Sequence, residues 1–149
     1  MQKALEIFSL MFLLGFSSPV VASPQWVIDK IALGVHSNEV DALYGPPASF
    51  ETRGAFSKQY PIRAYYGENL TLPAVEWDSK LNVNRVTGES LRVDGLTVWK
   101  GASRTEVGKV LGLPSKVHGT VESYIHGKSE LQVFYNTKGR VKMFNLRSQ

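Results

Sequence analysis

At 149 residues, with 43% hydrophobic and 20% charged side chains, the chain has room for one domain or two small repeats sharing a core, and it is too apolar to be disordered. Its net charge is a modest +4, from 17 Lys+Arg against 13 Asp+Glu. The absence of cysteine excludes disulfides, thiolate metal sites, a Cys nucleophile and an acylated lipoprotein anchor.

The chain opens on an export signal. Lys3 is followed by an apolar run over residues 7–16, then by Ser17-Ser18-Pro19 and Val20-Val21-Ala22. Val at −3 and Ala at −1 suit signal peptidase, so residues 1–22 read as a signal peptide cleaved after Ala22. A retained membrane anchor is the alternative, but the run falls short of the roughly 20 apolar residues a bilayer requires.

Residues 26–31 supply a strand or a further short helix, and then the first strong signal arrives. Gly34 is followed by Glu39-Val40, Leu43-Tyr44, Gly45 and Pro47; Val40, Leu43 and Tyr44 recur at helical spacing. Gly45 stands where a helix stops in the left-handed conformation, with proline beyond to prevent continuation. The aromatic stretch over residues 60–66 then alternates Arg63 and Tyr65 against Ile62, Ala64 and Tyr66, which predicts a strand with a Tyr/Arg contact set on one face. Residues 75–83 read as strand, turn, strand, with Val75, Trp77 and Val83 inward and Glu76 and Asn84 outward. Period-2 counting puts Arg85 inward, opposite Val75.

After residues 92–93 and 96–99 the helix signal returns. Gly101, Glu106-Val107, Val110-Leu111, Gly112 and Pro114 match the first set at a constant offset of 67. Ser103 with Glu106 forms a capping box, where the hydroxyl accepts from the first turn and the carboxylate reaches back; His36 holds the corresponding place in the first copy. Residues 133–141 match 75–83 at an offset of 58, so the first copy carries about nine more residues somewhere in 48–73. Gly139 supplies the positive φ that a three-residue hairpin loop needs, where the first copy has Leu81.

These features predict an α+β fold of tandem helix-plus-antiparallel-meander repeats, with the helices packed on one face of the sheet. The first repeat occupies residues 25–94 and the second 95–149. The G-x4-E-V-x4-G-x-P motif followed by a meander resembles the small lipoproteins of the outer-membrane β-barrel assembly machine (SmpA/OmlA-like), and its tandem use resembles the β-lactamase-inhibitor-protein-like fold. That resemblance implies non-enzymatic protein binding through the sheet face opposite the helices. The lipoproteins carry a lipidated N-terminal Cys that this chain lacks.

The binding face follows from the hairpin register. With Thr137-Lys138-Gly139 as loop, Tyr135 pairs with Val141, Phe134 with Lys142 and Val133 with Met143. Alternation then places Leu131, Val133, Tyr135, Val141 and Met143 inward, and Gln132, Phe134, Lys142 and Phe144 outward. The preceding strand offers Glu122, Tyr124 and His126 against Val121, Ser123 and Ile125. The expected contact surface therefore centres on Phe134, Phe144, Tyr124 and Lys142, with Gln132 and His126 beside them, since aromatic anchors supply contact area and polar neighbours supply register.

No catalytic pattern is present. His36, His118 and His126 form no metal-ligand spacing, and there is no G-x-S-x-G elbow, S-x-x-K or phosphate loop. No catalytic residue, metal site or cofactor is expected. The two halves differ in charge: residues 23–94 carry −2 and residues 95–149 carry +6, which suits an anionic envelope surface for the second half. The reading is an exported, periplasmic or secreted protein-binding or adaptor module with an unidentified protein partner, no nucleic acid and no transmembrane span in the mature chain. The alternatives are an exported hydrolase with a carboxylate pair across the sheet, and a binder of a small ligand or cell-envelope polymer.

Overall fold

The computed structural model describes residues 25–52 and 62–149. The expected signal peptide at 1–22 lies outside them, as do residues 53–61. In chain order the elements are β1 (Trp26–Ile28), β2 (Ile31–Ala32), α1 (Ser37–Tyr44), β3 (Ser49–Thr52), β4 (Ile62–Gly67), β5 (Thr71–Trp77), β6 (Val83–Gly88), β7 (Ser90–Val93), β8 (Leu96–Trp99), α2 (Arg104–Leu111), β9 (Lys116–His118), β10 (Val121–His126), β11 (Ser129–Tyr135) and β12 (Val141–Ser148).

The fold is mostly sheet, so the expected α+β architecture of tandem helix-plus-meander repeats is corrected. The described residues form two antiparallel sheets, ordered β2-β1-β7-β8 and β3-β4-β5-β6-β12-β11-β10-β9. The helices are eight residues each, about two turns. The physical reason lies in the short flanking segments. Residues 26–28 and 31–32 are joined by a two-residue turn at Asp29 and Lys30, both at positive φ, and residues 90–93 and 96–99 by a like turn at Asp94 and Gly95. Such turns match the twist of a hairpin. The two hairpins then pair with each other through β1 and β7, building a separate second sheet across the expected boundary at 94/95.

The helix ends follow the local chemistry. Ser103 Oγ accepts from the Glu106 amide and the Glu106 carboxylate accepts from the Ser103 amide, while His36 Nδ1 accepts from the Asn38 amide. Gly45 and Gly112 stop the helices at φ 76° and 74°.

One core lies between the layers. Val75, Val86, Leu131, Val133, Phe144 and Leu146 from the large sheet meet Trp26, Ile28, Leu91, Val93 and Val98 from the small one, with Val40 of α1 and Val107 of α2 filling the flanks. Gly88 sits across from Phe144, and a side chain there would collide with Ile28 and Asp29. The small sheet can approach the large one at this point because Gly88 has none. The opposite face of the eight-stranded sheet carries no helix or strand among the described residues.

Candidate functional site

Two bulges decide which side chains reach the outer face of the large sheet. In the β11–β12 hairpin Tyr135 pairs with Val141, but Phe134 pairs with Met143, leaving Lys142 unmatched. In β5–β6 Trp77 pairs with Val83, but Glu76 pairs with Arg85, leaving Asn84 unmatched. A bulge inserts one residue into one strand and so reverses the facing of everything beyond it. Phe144 therefore points into the core, 0% exposed, and Met143 points out, the reverse of simple alternation. Arg85 likewise moves from the expected inner face to the outer one.

Cross-strand pairing arranges the outer face in three rows. The first is charged and runs Glu51, Arg63, Glu76, Arg85, Arg147, Glu130. The middle row is polar and holds Tyr65, Ala74, Thr87, Asn145, Gln132 and Ser123. The third is apolar: Met143, Phe134 and Val121 lie side by side across β12, β11 and β10.

The charged and polar rows are tied together by hydrogen bonds. Arg63 donates to Thr87 Oγ1 at 3.3 Å, Thr87 to Asn145 Oδ1 at 3.1 Å, Asn145 to Gln132 Oε1 at 2.9 Å, and Gln132 to Glu130 Oε1 at 3.3 Å. The Arg63 guanidinium lies over the Tyr65 ring, whose hydroxyl donates to Glu51 at 2.8 Å. Arg85 and Arg147 face each other directly, an unfavourable juxtaposition. Each is held by a carboxylate on its other side: Glu76 lies 3.5 Å from Arg85, and Glu130 lies 2.6 Å from Arg147. Glu76 and Glu130 are only 4% and 6% exposed. Burial alone would raise the Glu130 pKa, but hydrogen bonds from Arg147 and Gln149 outweigh it and hold the carboxyl below its ordinary range.

The residues expected from sequence divide between the faces. Phe134 and Gln132 are on the outer face, half-buried within its rows, and Lys142 is the exposed bulge residue. Phe144 and Tyr124 are buried on the inner face. His126 is exposed at the end of β10, its ring edge-on to Trp26 at 6.3 Å on the inner side. Arg63 and Tyr65 do share the outer face, as their alternation indicates. Sequence reasoning missed Glu130, Arg147 and Asn145; Arg147 and Asn145 meet Arg85 and Thr87 of β6 across a long stretch of chain, and Glu130 joins them through Arg147.

On the inner face a second cluster anchors α2. Glu122 accepts from Tyr135 at 2.8 Å, Tyr124 at 3.1 Å and Arg104 at 2.6 Å, and the Arg104 guanidinium stacks on the Tyr135 ring. Burial, then the Glu122 carboxylate, pushes both hydroxyls well above the ordinary tyrosine range. Here Glu122 ties a helix to a sheet.

Glu76 and Glu130 are three strand spacings apart in their row, about 14 Å. Glycosidase carboxylate pairs stand about 5–9.5 Å apart. Among the described residues no three His, Asp or Glu side chains cluster as metal ligands. No helix among them is long and apolar enough to cross a membrane.

No family model matches the chain, and no curated protein does either. Two solved structures are similar in fold. One is YjgB, a DUF4309 family protein from Bacillus subtilis, at 16% identity and a TM-score of 0.47, covering 82% of this chain and 81% of that one. The other is an extracellular protein containing an SCP domain from Bacillus anthracis, at 15% identity and a TM-score of 0.48. That match covers 78% of this chain and 44% of its partner. The resemblance to assembly lipoproteins and β-lactamase inhibitors has no counterpart between these two.

Proposed function

We propose that the chain is an exported, non-enzymatic protein-binding module whose contact surface is the outer face of the eight-stranded sheet. The observation that carries this reading is the three-row face itself. Charged and polar side chains of β4, β6, β12 and β11 are pre-ordered by a continuous hydrogen-bond chain, an apolar row lies beside them, and no described element packs on them. Ordering side chains before contact lowers the entropy lost on binding, which favours a defined partner. Phe134, flanked by Val121 and Met143, is the aromatic anchor, and the charged row sets orientation. Core residues Phe144 and Tyr124 act beneath this surface, as its support.

The test places a photo-crosslinking phenylalanine analogue at Phe134 and, separately, at Val27 on the far side of the small sheet, in the exporting cell. An adduct of one discrete mass from position 134, none from position 27, and about thirtyfold weaker capture by Phe134→Ala are the expected results. Equal labelling from both positions, or capture unchanged in Phe134→Ala, overturns the reading.

A further inference from the structure

The second layer holds a different feature. Among the described residues β8 is an edge strand that pairs with no strand but β7. Its residues Leu-Thr-Val-Trp include no charge, proline or bulge of the kind that usually blunts an edge. Leu96 and Trp99 are 58% and 65% exposed.

Parity shows where its backbone points. The turn at Asp94-Gly95 makes Val93 and Leu96 a hydrogen-bonded pair, and the Lys100 amide donates to the Glu89 carbonyl at 2.8 Å. Thr97 and Trp99, which alternate with these, therefore aim N–H and C=O away from β7. The Trp99 carbonyl accepts from the Ala102 amide at 3.1 Å. The remaining groups open on a groove of about 410 Å³ between β8 and α2, lined by Thr97, Val98, Trp99, Ala102, Val110 and Arg140 among others.

We propose that this groove receives an extended, acidic-apolar peptide segment of a partner protein, added to β8 as a fifth strand and covered on its other side by α2. Only an extended backbone answers a row of outward N–H and C=O groups at strand spacing. The apolar floor of Val98, Ala102 and Val110 takes every second side chain. Acidic side chains at the alternate positions meet Arg140 at the rim, within a half of the chain carrying +6. The Glu106 carboxylate beside it is committed to the Ser103 amide at 2.6 Å and lies 3.9 Å from Arg140.

The probe is a seven-residue peptide of alternating valine and glutamate with blocked ends and a fluorophore, titrated against the protein by anisotropy. Saturable binding is expected, weakened about tenfold or more by N-methylation of alternate peptide amides, which removes their hydrogen bonds to β8. Exchange of its glutamates for lysines weakens it further. Thr97→Pro removes the outward donor without touching the β7 ladder, and is expected to lose binding to the same extent while melting close to wild type. Should Thr97→Pro fail to fold, the methylated peptides still decide the matter. Absence of saturation up to millimolar protein, or equal affinity for methylated and plain peptides, overturns the proposal. So does a wild-type dimer in sedimentation that Thr97→Pro dissolves, since a second copy would then occupy the edge.

Discussion

Replacing Phe144 with alanine tests the bulge that assigns the two faces. Phe144 is 0% exposed and lies opposite Gly88, which offers no side chain to fill the space that a lost ring leaves. Truncating a buried phenylalanine costs about 3–5 kcal/mol, as lost transfer energy plus the residual cavity. The upper end applies here, because Gly88 is hemmed in by Ile28 and Asp29 and cannot move inward to close the gap. For a chain of this length each kcal/mol is worth roughly 4 °C in Tm, so Phe144→Ala is expected to melt about 16–20 °C early. Phe134→Ala removes cross-strand contacts with Val121 and Met143 on the outer face, worth roughly 1 kcal/mol. The assay is urea unfolding of both variants beside wild type, with m-values checked for equality. If Phe134→Ala is the more destabilised of the two, Lys142 is not a bulge and the faces are reversed.

Two further outcomes follow from the hairpin loop and the inner carboxylate. Leu81 sits at φ 63°, where Gly139 of the other hairpin sits at φ 71°, and Leu81 is 52% exposed; Leu81→Gly is expected to raise stability by about 0.5–1 kcal/mol and Gly139→Ala to lower it by about 1 kcal/mol, read by thermal melting. Glu122→Gln leaves Arg104 without its carboxylate and is expected to cost about 2 kcal/mol, discounted because Arg104 is partly solvated. In the wild type, burial and the Glu122 carboxylate raise the Tyr124 and Tyr135 pKa values, so both are expected to stay protonated through pH 10, and the stability this contributes is fully present below the unfolded pKa and declines as pH rises from there through the folded values. Ultraviolet titration is expected to show these two ionising in the ordinary range only once the protein unfolds, and earlier in Glu122→Gln.

The parts of this fold that were legible in the sequence are those governed by nearest neighbours. Ser103 and Glu106, Gly45 and Gly112, and the loop glycine at 139 each act within a few residues, and each stands where its chemistry dictates. The second sheet was not legible, because its strands are two to four residues long and gain stability only by pairing β1 with β7 across more than sixty residues. The bulges at Asn84 and Lys142 carry no residue-type signature, and one unmatched residue was enough to exchange Met143 for Phe144. Glu122 and Tyr124 look like surface residues until α2 brings Arg104 against them. The charged row is likewise invisible as a unit, since Arg85 and Arg147 become neighbours only when β6 meets β12.

That meeting of β6 with β12 also sets the order in which the molecule can be completed. β6 ends at Gly88 and its partner spans Val141–Ser148, so the middle of the largest sheet is the contact of greatest sequence separation among its ladders and involves the last strand in chain order. Closing so long a loop precedes any reward from the contacts it makes, which slows folding in proportion to contact order. A chain emerging from its N-terminus presents β5 and β6 with one flank open until β12 follows. Through that interval the half-built sheet presents an open flank to other strands, which closes only when β12 pairs with β6.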